Sequence, residues 1–385
     1  MKKHCCFLAL AGCALSGQVY AQSSVTLYGV IDAGVGYIHN SQTSSGNQGT
    51  QVKFGGALMG SRWGLRGVEA LGSGLSAIVQ LESGYNPGTG ALGQGGRMFG
   101  RSAVVGLGSP YGTIKLGRQL DPVTDLVQPL TEDNFFSGTF ATPGDVDNYD
   151  NDLRVSNAIK YISPVMSGVQ VEALYGIGGI AGSSGAGQTY SAAVSYTNGP
   201  LGAAAGYLHA DGGNTIANGV RTWTSSSDSL FFSAVNQGFA TAKSIDIIHA
   251  GVQYVIGKFT VGAGYSHSQY NQDAHSRFAE DARFDNGAVY ANYAPRPDVL
   301  VGGGYSFTKL NGPASASYHQ ANLGASYLLS KRTALYWVAG YQKANGTNLS
   351  PSAVVGPAQA SVGSYGISSG TSSQLVTVAG IRHKF

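Results

Sequence analysis

The protein has 385 residues, of which only 11% are charged and 43% are hydrophobic. A soluble domain usually carries about 25% charged residues, and a disordered chain has fewer apolar ones, so the composition argues against both classes. Glycine accounts for 58 residues and tyrosine for 22, and the formal net charge is +3.

The first 21 residues are predicted to be a cleaved signal peptide. Two lysines precede an apolar run over 5–15, and the small residue Ala21 ends the pattern. The run is too short for a transmembrane helix, which needs ~20 apolar residues. An alternative is a lipoprotein cleavage box with Cys13 as the lipidated residue. Cleavage after Ala21 removes all three cysteines, so the mature chain 22–385, which we expect to be a single domain, has no thiol for disulfides, metal sites or catalysis.

The rest of the chain alternates apolar side chains with small or polar ones, which is typical of a β-strand with two different faces. In one example, Trp63 and Leu65 oppose Arg62 and Arg66. No window contains 18 consecutive apolar residues, so the sequence offers no transmembrane-helix candidate. Sixteen segments have the strand pattern: 24–38, 52–69, 74–85, 98–108, 111–118, 154–163, 168–178, 188–197, 201–210, 243–256, 259–271, 283–294, 298–308, 317–329, 332–343 and 374–385.

The connections between these segments are alternately short and long. Seven are short and carry Gly, Pro and Asn, the residues of tight turns. Because lipid offers no hydrogen bonds, a spanning sheet must close on itself. We therefore predict an all-β fold, a transmembrane sixteen-stranded antiparallel β-barrel with both termini at the short-turn edge. The long connections are 39–51, 86–97, 119–153, 179–187, 211–242, 272–282, 309–316 and 344–373.

A Gly-Tyr pair recurs near the far end of the odd-numbered segments. Tyrosine is enriched at membrane–water interfaces, so we interpret these pairs as an outer aromatic girdle; the alternative is chance in a chain rich in both residues. The pairs are Gly36-Tyr37, Gly84-Tyr85, Gly206-Tyr207, Gly264-Tyr265, Gly304-Tyr305 and Gly340-Tyr341, with the inverted pair Tyr175-Gly176.

The connection 119–153 is both acidic and apolar, which is unusual for a free surface loop. It holds eight of the 20 acids of the chain. We predict that it folds into the barrel, with apolar groups on the wall and carboxylates facing water. A pore constriction would then have an acidic side on this loop and a basic side on the wall, giving a transverse field that filters ions; the alternative is ordinary solvated charge. The acidic side is Asp121, Asp125, Glu132 and Asp133, and the basic side is Arg62, Arg66, Lys115, Arg118 and Arg154.

Two further sets of residues are candidates for metal binding or catalysis. The spacing of Asp145, Asp147, Asp150 and Asp152 can gather Ca²⁺, but it lacks the glycine and terminal glutamate of the twelve-residue calcium loop, and the alternative is an acidic pore lip. The mature histidines have no triad-like or metal-like spacing, so we expect neither an enzyme nor a resident cofactor or metal. These histidines are His39, His209, His249, His267, His275, His319 and His383.

Four stretches of the mature chain resemble general porins of β-proteobacteria (the Burkholderia, Bordetella and Neisseria type). They are 24–29 (SVTLYG), 60–67 (GSRWGLRG), 112–119 (GTIKLGRQ) and 378–385 (VAGIRHKF).

The resemblance implies a trimeric outer-membrane porin of Gram-negative bacteria whose third long loop folds into the lumen and faces wall arginines. It implies that Phe385 is the signal read by the β-barrel assembly machinery. It also implies a homotrimer in contact with outer-membrane lipid and lipopolysaccharide, with small hydrophilic solutes as cargo and no nucleic acid. The chain departs from the family at Ala70, where an acid is more usual, so ion preference does not transfer directly.

The predicted function is passive diffusion of small hydrophilic solutes and ions, filtered by size and charge at the constriction. The alternatives are an adhesive or structural surface barrel with partner-binding loops at 211–242 and 344–373, and an enzymatic barrel. Basic groups outnumber acids on the strand faces assigned to the lumen, which favours anions.

Overall fold

A computed structural model describes residues 24–150, 153–183, 185–213, 215–223 and 230–385. The signal-peptide prediction, 1–21, lies outside these residues. The strands of the described residues are β1 (Ser24–Gln42), β2 (Gln48–Phe54), β3 (Arg62–Gly72), β4 (Leu75–Gly84), β5 (Ser102–Ser109), β6 (Gly112–Gln119), β7 (Val155–Ile162), β8 (Val169–Gly176), β9 (Thr189–Asn198), β10 (Leu201–Asp211), β11 (Ile216–Ala217), β12 (Val220–Arg221), β13 (Ser244–Ile256), β14 (Phe259–Asn271), β15 (Ala282–Arg296), β16 (Val299–Asn311), β17 (Ala316–Leu328), β18 (Thr333–Leu349), β19 (Val355–Pro357) and β20 (Ser373–Lys384).

Sixteen of the described strands form one closed antiparallel barrel. Each pairs with its neighbours in the chain, and β1 closes the ring by pairing with β3 along its first residues and with β20 further along, for example Val30 with Lys384. The other four are loop strands: β2 pairs with the end of β1, β11 with β12, and β19 with β18. The predicted all-β, sixteen-stranded barrel is confirmed.

The second predicted segment, 52–69, is not one strand. Its first part belongs to β2, which folds back on β1, and residues 55–61 then turn inward before β3 begins. Asp32 fixes the inward turn of residues 55–61, because its Oδ2 accepts the backbone N–H groups of Leu58 at 2.8 Å and Met59 at 2.7 Å. A Cβ on Gly56 would collide with the same carboxylate. The inward turn therefore depends on a contact between distant residues that strand alternation does not reveal.

The outer wall is apolar and carries the expected tyrosines. Tyr265, Tyr305 and Tyr341 are 43–49% exposed on the outer face. They lie in the middle of β14, β16 and β18, which continue past them toward the long loops, so the interfacial ring lies below the strand ends. Tyr85 differs, because it lines a cavity inside the barrel.

The connection between β6 and β7 folds into the lumen, as predicted, and we call the described residues 119–150 and 153 the inward loop. It contains helix α1 (Pro122–Leu126), helix α2 (Asp133–Phe136) and 3₁₀ turns at Gln128–Leu130, Ser137–Thr139 and Pro143–Asp145. Val127 and Phe136 of this loop are completely buried.

No helix in the described part of the chain is both long and apolar enough to span a membrane.

Candidate pore and constriction

The inner wall of β10, β13, β14 and β16–β18 is lined by glycines on which the inward loop lies. A Cβ on Gly206 would come within 2.8 Å of the Val123 side chain, and a Cβ on Gly324 would come within 2.6 Å of the Phe136 ring. Approach this close is open only to a residue without a Cβ. These glycines therefore form a shallow trough that holds the loop against the wall. The other glycines with loop atoms this near or slightly farther are Gly202, Gly251, Gly264, Gly302, Gly304 and Gly340.

The Gly-Tyr pairs also have a role on the inner wall, where their glycines contribute to the trough. In β10, β14, β16 and β18 the tyrosine of the pair faces outward, and the glycine one residue earlier faces the loop because neighbouring strand residues point to opposite faces. One dipeptide thus supplies both the outer girdle and the inner trough. Sequence reasoning identified only the girdle.

Asp121 does not face the pore, in contrast to its predicted place on the acidic side. It is buried at the start of α1, where Oδ1 accepts the backbone N–H of Val123 at 2.8 Å and Oδ2 accepts the Thr124 hydroxyl at 2.7 Å. A carboxylate that accepts N–H groups of the first turn caps a helix. Burial raises the pKa of Asp121. Its role here is to begin the loop helix.

Glu132 and Asp133 are also turned away from water. Both are buried between the loop and the wall, and Asp133 accepts hydrogen bonds from the Thr131 hydroxyl and from Nε2 of Gln128 at 2.8 Å. Burial, together with nearby Asp150, raises the pKa of Asp133 to about 8, and burial raises that of Glu132 well above its usual value. The expected water-facing orientation is wrong for these two residues, because the trough lets the loop pack too closely for water.

The basic side of the lumen surrounds a cavity of about 280 Å³. Three of its basic residues were predicted from alternation: Arg62, Lys115 and Arg154. The full set of charged lining residues is Arg62, Arg101, Lys115, Arg154, Lys160, Glu82 and Asp125.

Two predicted members of the basic side stand apart from this cavity. Arg66 lies over the Tyr28 ring, 5.6 Å from its centroid. Arg118 is buried at the base of the inward loop, where its guanidinium donates to the Gly100 carbonyl at 2.7 Å and the Ser156 hydroxyl at 2.7 Å. The strand register shifts beside Gly117, so alternation fails at Arg118, which braces two segments of backbone.

Arg101 and Glu82 were missed by the sequence reasoning. Arg101 Nε lies 2.6 Å from Glu82 Oε1, and Arg62 Nε lies 3.8 Å from Glu82 Oε2. Arg101 lies in the predicted segment 98–108, but it precedes β5, and alternation would place it on the same face as exposed Val105. Glu82 is the inward acid that holds both guanidinium groups on the wall.

Lys160 could have been recognised, because it stands on the polar face of its strand. Its ammonium is nearly inaccessible and lies between the carboxylates of Asp125 and Glu172, the latter at 3.0 Å. Asp125 belongs to α1, so this ion-paired lysine ties the inward loop to β7 and β8. The predicted acid Asp125 therefore lies at the cavity and is paired with a lysine of the wall.

Asp150 lies near the basic side, although the sequence grouped it with a cation cluster. Its carboxylate accepts hydrogen bonds from the hydroxyls of Ser364 and Ser137, the latter at 3.4 Å, and it lines a second cavity of about 350 Å³. Burial raises the pKa of Asp150, and the charges of Arg154 and Arg101 oppose that rise. Asp150 is thus a loop carboxylate on which the charges of two basic-side arginines act.

The remaining described aspartates of the predicted cation cluster have different partners. Asp145 accepts the backbone N–H of Asp150 at 2.9 Å, whereas Asp147 accepts the hydroxyls of Thr142, at 2.9 Å, and Ser266. Burial raises the pKa of Asp147 to about 6. Asp152 lies outside the described residues. Within the described ranges, no group of three or more His, Cys, Asp or Glu side chains could hold a metal ion.

Comparison with known proteins decides the family. Residues 8–347 match the family model described as Gram-negative porin. An outer membrane porin protein of Bordetella pertussis is 32% identical over 368 residues, which cover 87% of this chain and 92% of the relative. The chain belongs to the Gram-negative porin family. It forms a passive diffusion channel in the bacterial outer membrane.

Solved structures show the same fold as this porin. The anion-selective porin from Comamonas acidovorans is 25% identical, with a TM-score of 0.72, and the match covers 94% of this chain and 100% of that one. An outer membrane protein of Vibrio cholerae in its trimer form is 17% identical, with a TM-score of 0.65, over 94% of this chain and 99% of that one.

The carboxy-terminal residue of the porin completes the ring of strands. The Phe385 N–H donates to the Gly29 carbonyl at 3.0 Å, and the Gly29 N–H donates to the Phe385 carbonyl at 3.0 Å. The Phe385 ring rests where a Cβ of Gly29 would otherwise stand. The last residue is therefore part of the junction between β1 and β20.

Proposed function

We propose that this porin selects anions at the cavity of the basic side. The observation that carries the proposal is the composition of the lining, in which five basic side chains face two carboxylates. Two loop acids expected to balance them, Glu132 and Asp133, are buried against the other wall with raised pKa values. A narrow wet passage lined by an excess of positive charge lowers the energy of an anion relative to a cation.

Fewer carboxylates oppose the basic side of the constriction than the sequence indicated. The carboxylates of Glu82 and Asp125 line the cavity together with the arginines and lysines, and the charges of Arg154 and Arg101 act on Asp150. Asp125 and Glu82 are already in ion pairs, so they anchor wall and loop cations and leave less negative field in the passage. The neighbouring structure described as anion-selective supports the same direction of preference.

The test is the reversal potential of the purified porin in a planar bilayer across a KCl gradient. We expect the dilute side to become negative, the sign of an anion-selective channel. Arg62→Gln with Lys115→Gln should reduce that potential, because both side chains line the cavity. Arg296→Gln is the control, because Arg296 is 63% exposed beside Asp298 at a short turn outside the cavity. A potential of cation sign in the wild type, or the same potential in the double variant, would reject the proposal.

We further infer that the porin assembles as a homotrimer, as the related outer membrane protein of Vibrio cholerae does in its trimer form. The outer wall of β1 and β3–β5 supports this inference, because it exposes apolar side chains such as Leu27, Val79 and Leu107. Closed cyclic assembly would cover part of such a wall. The bilayer recording also tests this point, since three joined pores close in three equal steps.

We also infer that Phe385 is read by the β-barrel assembly machinery. Phe385 follows β20 and is 41% exposed, where another protein can reach it.

We infer as well that no chemical step accompanies transport.

A further inference from the structure

The outward face of β16–β18 changes in character from the middle of the barrel toward the long loops. The lower rows are apolar, with Val301, Leu323 and Trp337 exposed. Next comes a row that pairs Tyr305 with Ala321 and Ala321 with Tyr341. This sequence of apolar wall and tyrosine places the boundary between hydrocarbon and headgroups at that row.

Basic side chains occupy the two rows directly above the tyrosines. His319 of β17 is the cross-strand partner of both Phe307 and Lys343. Lys309 of β16 lies two residues beyond Phe307 and pairs with Ser317. We call Lys309, His319 and Lys343 the outer basic cluster.

The contacts of the outer basic cluster are with hydroxyls. Lys309 Nζ donates to Ser315 Oγ at 2.9 Å, and Lys343 Nζ donates to Ser372 Oγ at 2.6 Å. Nδ1 of His319 lies 2.6 Å from the Tyr305 hydroxyl. When that hydroxyl donates to Nδ1, a neutral imidazole carries its proton on Nε2 and is a hydrogen-bond donor there.

No carboxylate in the described residues forms a salt bridge with either lysine. The acid nearest by register is Asp285, the cross-strand partner of Lys309. Its Oδ1 is already shared by His267 at 2.8 Å and the Tyr265 hydroxyl at 2.8 Å. Within the described residues, the two ammonium groups on the lipid-facing wall thus donate to hydroxyls and form no salt bridge.

We propose that the outer basic cluster binds the phosphate group of an outer-leaflet lipid headgroup. An anionic phosphate matches two ammonium groups, an imidazole donor and neighbouring serine hydroxyls in both charge and hydrogen-bonding capacity. The site faces the bilayer at headgroup depth, so the phosphate that can reach it is one carried by a lipid. The proposal is independent of ion selectivity, because it uses the outer wall and a different measurement.

The test is the affinity of the detergent-purified porin for lipid A in two forms, diphosphorylated and dephosphorylated, with bound lipid counted by native mass spectrometry. The double variant Lys309→Gln with Lys343→Gln removes both ammonium groups. We expect its affinity for diphosphorylated lipid A to fall about tenfold or more, because each lysine near an anionic lipid surface contributes measurably to binding. Dephosphorylated lipid A should bind the wild type and the variant equally.

The matched control is Lys331→Gln with Arg332→Gln, which removes two exposed charges at the short-turn end of β18. Its affinity for diphosphorylated lipid A should equal that of the wild type. Equal affinity of the double lysine variant would overturn the proposal, and so would equal competition by inorganic phosphate, which would indicate an ion site. A change in oligomeric state without a change in lipid affinity would instead make this surface an interface between copies. Each variant must first show wild-type heat-modifiable migration, which establishes that the barrel is folded.

Discussion

The two halves of the inner wall differ in whether their inward polar side chains are charged. The half formed by β20, β1 and β3–β8 carries charge, including buried Asp32, Glu82, Lys160 and Glu172. In the other half, the described buried polar side chains of β9, β10 and β13–β18 are hydroxyls, amides and one imidazole, and none is Asp, Glu, Lys or Arg.

The difference follows from what each half faces. The charged half borders the cavity of the basic side, where buried charges such as Lys160 are paired with carboxylates. The uncharged half is covered by the inward loop, and an ionised group there would lose its water without compensation. The acids that the loop brings to that side, Glu132 and Asp133, respond with raised pKa values. A charge in a barrel lumen therefore predicts function only where water remains beside it.

The largest expected effect comes from removing the lysine that joins the two halves. Lys160→Met leaves the carboxylates of Asp125 and Glu172 without their shared cation. Breaking one partner of a buried ion pair costs about 3–5 kcal/mol, and we expect a loss near the lower end because Asp125 is partly exposed. The unfolding free energy of the porin, from denaturant titration in lipid vesicles, measures it.

Lys115→Met is the control for this change, since Lys115 is the cross-strand neighbour of Lys160 and also faces the cavity. It should alter the reversal potential with little change in stability. Equal destabilisation by both variants would show that Lys160 is an ordinary lumen cation.

A smaller effect is expected where the loop lies in the glycine trough. Gly324→Ala places a Cβ 2.6 Å from the Phe136 ring, and overpacking of this kind costs about 1–3 kcal/mol. Gly287→Ala is the matched control, because nothing lies within 4 Å of its Cβ position. The same vesicle titration compares them, and single-channel conductance should change only in the Gly324 variant, in which the loop must shift. Identical behaviour of the two variants would contradict the trough.

A last expected effect concerns pH. An aspartate has a pKa near 3.9 when unfolded, and that of Asp133 is raised to about 8 by burial and by Asp150. The folded state therefore holds a proton that the unfolded state has lost between about pH 4 and pH 8, so this contribution to stability is complete below pH 4 and disappears as the pH rises toward 8. Asp133→Asn should recover about 1 kcal/mol or more relative to the wild type between pH 5 and pH 8.5, the equivalent of at least one pKa unit.

Asp273→Asn is the control for the pH experiment. Partial burial raises the pKa of Asp273, but the His275 N–H and Arg221 outweigh it and lower the pKa below its usual value. Asp273 thus stays ionised in both states above pH 5, so the effect of its replacement should not vary between pH 5 and pH 8.5. A pH-independent effect of Asp133→Asn would show that Asp133 is solvated.

Much of the fold was predictable from local patterns. A period of two along the chain and alternating short and long connections led to sixteen strands and a closed barrel, because lipid requires every backbone group to be paired within the sheet. The same alternation placed Arg62, Lys115 and Arg154 on the lumen side, and the structure brings them to one cavity. The Gly-Tyr pairs of β14, β16 and β18 marked the outer girdle, whereas Tyr85 lines an inner cavity.

The remaining features depend on contacts between distant residues. Asp32 and residues 55–61, Gly324 and Phe136, and Lys160 and Asp125 are each far apart in the chain. Sequence determined which residues carry charge and which face of a strand they occupy, since both follow from residue type and period. Only the tertiary structure decided which of those charges keep water, because hydration depends on how closely the inward loop packs on the glycines of the opposite wall.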